Sequence, residues 1–233
     1  MEEYNLQEIR IEDYNSIKEY YQKRRPETAD SNILDLYIWL NCYPTWYFTN
    51  DKGLMWVAKS EDGQYYSSIP CCKDEDLKEC FLETQKYFNE VLQKKLVMYV
   101  VDKAAVDLLQ LPEDEYVVVP DRTYADYVYD AEKLRTFSGK KYHKKKNHLN
   151  AFKREYEGRY EFKFLSKKDE PEILAFLEDW KKHKSDTEEH EFIDSEAVGI
   201  KYILEHEEVF DYKIGAVYVD NKLEAFTIGN YES

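Results

Sequence analysis

Two helices followed by a β hairpin occur twice in this chain, and that recurrence limits the folds open to it. The first run covers residues 13–69 and the second covers residues 169–229. In the first, Tyr14, Ile17, Tyr20 and Tyr21 recur at helical spacing over residues 13–24, Pro26 closes the helix, and Asn32–Leu40 supplies a second, shorter one. Trp46–Thr49, Leu54–Lys59 and Tyr65–Ile69 then alternate as strands, broken at Asn50-Asp51-Lys52-Gly53 and Glu61-Asp62-Gly63. In the second run, residues 169–182 gather Ile173, Leu174, Phe176, Leu177 and Trp180 on one side, and a polar loop at Lys184–His190 leads to a helix at Ala197–Leu204. Tyr212–Val219 and Leu223–Ile228 form the closing hairpin around Asp220-Asn221-Lys222.

Between the runs, residues 75–94 read as a helix and the short apolar run Leu96–Val101 as a buried strand, which together imply a crossover unit. Ala104–Leu109 reads as a short helix, Tyr116–Val119 and Tyr124–Tyr129 as strands, the basic stretch after Asp130 as helical, and Tyr160–Leu165 as a strand. The expected class is α/β with a mixed sheet, one unit over residues 1–165 and the start of a second over residues 166–233. Compared with the first copy, the second lacks a counterpart of residues 75–165. It therefore reads as truncated, with a sheet edge that a second copy of the chain would cover as a homodimer.

The 43% hydrophobic and 16% aromatic content suffices for a core. The start lacks a basic and apolar leader and no 18-residue apolar run is present, so a cytoplasmic protein without a transmembrane segment is expected. Cys42, Cys71, Cys72 and Cys80 show no C-x-x-C spacing, which points to reduced thiols and to no metal.

Charge marks the candidate site. The chain carries a formal net charge of -15, yet Lys133, Arg135, Lys140, Lys141, Lys144, Lys145, Lys146, Lys153 and Arg154 fall in one window without an acid. Outside that window, 24 basic residues face 48 acidic ones. A block of one sign repels itself, and it is tolerated best where an anion docks. From Gly139 onward, Tyr142, Leu149, Phe152 and Tyr156 form an apolar stripe expected to pack inward. Lys140, Lys141, Lys144 and Lys145 crowd the first two turns, where the helix dipole is already positive. An anion at that end resolves the conflict. Ser138 is expected to cap the helix and Gly139 to let the backbone approach the ligand, giving a phosphate or carboxylate cradle preceded by a strand.

His143 and His148 lie five residues apart and so do not share a helix face as metal ligands would; they are read as polar contacts, and Tyr142 as an acid or a core residue. No G-x-S-x-G elbow or cysteine with a paired base supports a covalent nucleophile.

From Tyr127-Val128-Tyr129-Asp130 through the short helix after it and the segment Lys140-Lys141-Tyr142-His143-Lys144-Lys145-Lys146 to Phe152-Lys153-Arg154, the chain resembles a bacterial family related to the C-terminal domain of phosphatidylglycerol lysyltransferase. The segment also looks like its counterpart in Fem-type peptidoglycan aminoacyltransferases. The resemblance implies a tandem acyltransferase fold of the GCN5-related N-acetyltransferase (GNAT) type. It further implies transfer of an acyl or aminoacyl group to an amine or hydroxyl, with the basic helix near the donor's phosphates. The donor would be an aminoacyl-tRNA or an acyl-CoA, with no covalently bound cofactor. The acetyl-CoA signature Q/R-x-x-G-x-G/A is absent, because Arg135 lies four residues before Gly139 and Lys140-Lys141 stand where a second small residue belongs. On this reading Arg135, Ser138, Gly139, Lys140, Lys141, Lys144 and Lys145 bind the donor. The alternatives are a non-catalytic module that binds RNA, phospholipid head groups or an acidic partner through the same island, and an inactive relic of the fold.

Overall fold

The structure is a computed structural model that describes residues 4–24, 28–60, 62–183 and 187–230, without the side chains of Asp30 and of residues 187–192. The chain divides into two compact units, Met1–Asp126 and Tyr127–Ser233. The mixed α/β character expected from the sequence is present in both.

The first unit holds a four-stranded antiparallel sheet in the order β1 (Gln7–Glu8), β2 (Thr45–Thr49), β3 (Leu54–Lys59), β4 (Tyr65–Tyr66). Helices α1 (Tyr14–Tyr21) and α2 (Ile33–Trp39) lie between β1 and β2 in sequence. Asn32 starts α2 by accepting the Leu34 N–H at 2.8 Å on Oδ1. The β2–β3 turn is held by Asn50, whose Oδ1 accepts the N–H groups of Lys52 and Gly53, each at 2.9 Å. β3 is buried throughout Leu54–Ala58. Met55 and Val57 join a core with Phe81 and Phe88, while Trp56 points the other way and meets the Tyr21 ring at 6.0 Å.

Helix α3 (Leu77–Lys86) ends in a wide π turn at Tyr87–Val91. There Leu92 N donates to Tyr87 O at 3.2 Å, and both Tyr87 and Phe88 enter the core, Tyr87 against Phe48 at 5.0 Å. Helix α4 (Lys103–Leu109) is capped by Asp102, which accepts from Ala105 N at 2.9 Å and pairs with the mostly buried Arg24 at 2.8 Å.

The second unit contains α5 (Ala131–Thr136), α6 (His143–Glu155), β5 (Tyr160–Leu165), α7 (Glu170–Lys182), α8 (Thr187–Glu205), β6 (Lys213–Val219) and β7 (Lys222–Gly229). Its sheet is antiparallel in the order β5-β6-β7. Asp220 and Asn221 both adopt positive φ, 51° and 64°, as a two-residue primed turn requires. One face of the sheet packs Leu165, Ile214, Ala216, Tyr218 and Leu223 against Ile173, Leu177, Ile200 and Leu204. On β5 the alternate residues Phe162 and Phe164 stay exposed.

Several expectations change here. The strand at residues 160–165 belongs to the second unit rather than the first, because all six of its residues pair with β6. The division lies at Asp126, not after residue 165. Leu96–Val101 forms no strand, and the expected crossover survives only as one parallel bridge between Ser67 and Met98. Tyr116–Val119 and Tyr124–Tyr129 are not strands either: no ladder partner meets them among the described residues, and Val117, Val119 and Tyr127 are largely exposed. The third strand of the meander shortens to Tyr65–Tyr66, and α8 already begins at Thr187, inside the expected loop. Pro26, Glu61 and residues 184–186 lie outside the described residues.

Gly53 is a point of close approach. A Cβ there would stand 2.7 Å from Cys72 Cβ and 2.8 Å from Cys80 Sγ, inside van der Waals contact with two buried side chains. Gly53→Ala is expected to lower the unfolding free energy by about 1–3 kcal/mol, read as a fall in the urea midpoint at constant slope. An unchanged midpoint would show that the two thiols have room to yield.

Candidate anion-binding site

The site is built on α5, a 3-10 turn at Lys140–Tyr142, and α6, all within the second unit. Asp130 starts α5 by accepting the Lys133 N–H at 2.9 Å on Oδ1. The helix stops at Phe137, which takes a left-handed conformation with φ 48°, and both Phe137 N and Ser138 N return to Lys133 O. Gly139 follows with φ 89°, a conformation L side chains rarely adopt; nothing stands within 4 Å of where a Cβ would be. These two residues aim the chain into the 3-10 turn and then into α6.

The expected Ser138 cap is not made. Gly139 holds the cap position of the 3-10 turn and Tyr142 that of α6, and neither position has a side-chain cap. The N–H groups at the start of the turn are thus left without a capping side chain. The site is preceded by an unpaired segment rather than by the expected strand.

The structure separates the nine basic residues into two groups. Lys133 pairs with Asp130 at 3.2 Å and Arg135 with Glu132 at 2.6 Å, so the two cations of α5 are neutralised locally. Lys140, Lys141, Lys144, Lys145, Lys146, Lys153 and Arg154 form no ion pair with a described carboxylate and are exposed. Arg135 is therefore the expected donor-binding residue that already has a partner. Lys144, Lys145 and Lys146 are consecutive, about 100° apart around the axis, so they fan across the helix.

The apolar stripe is shallower than expected. Leu149, Phe152 and Tyr156 are only half-buried, and α6 has no fully buried residue. Tyr142 is the exception, at 1% exposure, with its hydroxyl buried and without a hydrogen-bond partner among the described residues. Its ring touches Phe137 at 6.4 Å and Tyr129 at 6.5 Å. Two lysines lie over this aromatic group: Lys141 Nζ is 5.0 Å from the Tyr142 centroid and Lys145 Nζ is 5.4 Å from that of Tyr129. His143 and His148 are exposed on α6. Among the described residues no group of three or more His, Cys, Asp or Glu could hold a metal ion.

Two features escaped the sequence reading. Asn147, Asn150, Lys153 and Arg154 line an open hollow of about 530 Å³ along α6. Their i, i+3, i+6, i+7 spacing is the signal that could have found it. The other is the aromatic pair Tyr127 and Tyr129, read as part of a strand but standing in an unpaired segment beside the lysines. The arrangement as a whole can neutralise a polyanion and offer it donors.

The chain matches the family described as phosphatidylglycerol lysyltransferase, C-terminal, over residues 21–231. It is 28% identical over 100 residues to an uncharacterized protein of Mycoplasmoides gallisepticum, a match covering 43% of this chain and about a third (32%) of that protein's length. It is also similar to the crystal structure of a conserved protein of unknown function from Bacteroides thetaiotaomicron, with a TM-score of 0.84 and 25% identity, covering 97% of this chain and 75% of that one. No helix among the described residues is long and apolar enough to cross a membrane.

Hydrogen bonds to the Lys133 N–H and ammonium lower the Asp130 pKa. Because its folded value lies below the unfolded one of about 3.9, the cap contributes in full above about pH 4 and is lost as pH falls through the folded value. The amide proton of Lys133 should therefore titrate with a midpoint below about 3.9 in the native chain and stay flat in Asp130→Ala. A midpoint at or above 3.9 contradicts the cap.

Proposed function

Since the chain belongs to the phosphatidylglycerol lysyltransferase C-terminal family, we propose that it is an acyl- or aminoacyltransferase of the tandem GNAT type that holds the phosphates of its donor on the basic island. The observation that carries this reading is the cluster of unpaired cations at the 3-10 turn and first turn of α6, in a chain of net charge -15. Lys140, Lys141, Lys144 and Lys145 neutralise the donor, and uncapped backbone N–H groups at the turn supply further donors. Catalysis is then positional and electrostatic. The acceptor amine or hydroxyl attacks the donor's carbonyl carbon, a new C–N or C–O bond forms, and the ester or thioester bond breaks. The acceptor's proton passes to the departing oxygen or sulfur.

The exposure of α6 favours one competing reading, a docking surface for polyanions without chemistry. Thermal denaturation with coenzyme A, acetyl-CoA, uncharged tRNA and aminoacyl-tRNA separates the two. A ligand at about 100 times its Kd should stabilise the chain by about 2.7 kcal/mol. The proposed function requires a greater shift with an acylated donor than with its free form, abolished in Lys141→Glu/Lys144→Glu. Equal shifts with every polyanion, fading with salt, would reduce the island to a docking patch, and no shift would leave the inactive relic.

A further inference from the structure

Tyr127 and Tyr129 stand two positions apart in a non-helical segment bounded by Ala125 and Asp130, both extended, and their rings stack on one another. Their rings are nearly parallel, inclined by 16° with centroids 6.2 Å apart. Tyr127 is 88% exposed. Lys145 Nζ lies over Tyr129, and Lys141 Nζ over the adjoining Tyr142 ring. An exposed parallel aromatic pair flanked by ammonium groups has a specific complement. A flat π ring gains by stacking on it, and the cations require that ring to carry negative charge close by. Quaternary ammonium ligands are repelled by the lysines, and neutral sugars leave the ammonium groups unused.

We infer that the Tyr127–Tyr129 stack takes the adenine ring of the donor while Lys141 and Lys145 take its adjacent phosphate. This rests on the proposed function, in which the island holds donor phosphates, and deepens it. Both donor types present the same chemistry, since an aminoacyl-tRNA ends in an adenosine and coenzyme A contains an adenosine phosphate. Tyr127 is thereby a positioning residue: it fixes the purine and leaves the acyl end free to reach the acceptor.

The test is isothermal titration of the full chain with AMP and with ribose 5-phosphate, which differ by the base. The native chain should bind AMP on the order of tenfold more tightly than ribose 5-phosphate. Tyr127→Ala should erase that preference, Tyr127→Trp should keep it and show quenching of the new indole by AMP, and Lys145→Glu should weaken both ligands. An exposed residue of this kind is replaced without disturbing the core, so the variants report on binding. Displacement of AMP by uncharged tRNA assigns the subsite to an RNA end, and displacement by coenzyme A assigns it to a thioester donor; displacement by neither overturns it. Equal affinity for AMP and ribose 5-phosphate, or a preference retained in Tyr127→Ala, overturns the stacking role while the island's phosphate binding stands. Failure of both ligands to bind overturns this inference together with the proposed function.

Discussion

The requirement that an apolar strand be covered on both faces organises the first unit. From Leu54 to Ala58, β3 has no wet side, so a single helical layer would leave half of it exposed. Met55 and Val57 share their core with Phe81 of α3 and Phe88 of the π turn that follows it. Trp56 faces Tyr21 of α1. The backbone of so buried a strand also needs partners beyond the two-residue β4, and Ser67 supplies one by donating to Trp56 O at 2.8 Å. In the second unit the constraint is relaxed: its buried cluster lies with α7 and α8 on one side of the sheet, and β5 keeps Phe162 and Phe164 in solvent.

The two units share an order of elements that is longer than helix, helix, hairpin. In each, a strand ahead of the two helices pairs antiparallel with the first strand of the hairpin, β1 with β2 and β5 with β6. Each strand is followed by a short 3-10 segment that leads into the next helix, α1 in the first unit and α7 in the second. In both turns a carboxylate accepts the backbone N–H three residues earlier, Asp13 from Arg10 at 3.0 Å and Asp169 from Ser166 at 2.9 Å. The strand–turn–helix junction is thus made by the same chemistry twice.

Where local pattern and tertiary demand agree, the sequence was readable. β3 falls at Leu54–Lys59 as expected, because an Asn-led turn fixes its start. The equivalence of β1 and β5 is not legible in the sequence, since β1 is only two residues long and gives no alternation to detect. The segments around Val117–Val119 and Tyr127–Tyr129 have every local mark of strands yet pair with nothing described, because propensity is local and a ladder is not. At the candidate site the charge island is an exposed cluster, but ion pairing takes Arg135 out of the free cations, and backbone geometry at Phe137 and Gly139 stands in place of the expected Ser138 cap. Nothing in a one-dimensional count of lysines distinguishes a neutralised cation from a free one.

The unpaired cations of α6 share a molecule with an excess of acids everywhere else, so each chain carries both halves of an electrostatic contact. At low ionic strength the net charge of -15 repels an approaching anionic ligand over a long range, while the island attracts it only close by. The Debye length contracts to about 10 Å at 0.1 M salt, which weakens this long-range repulsion more than it weakens the contacts of a ligand seated against the lysines. Affinity at the island is therefore set by two opposed electrostatic contributions of different range, and a moderately salted solution is where its intrinsic selectivity stands clear of the chain's own acidity.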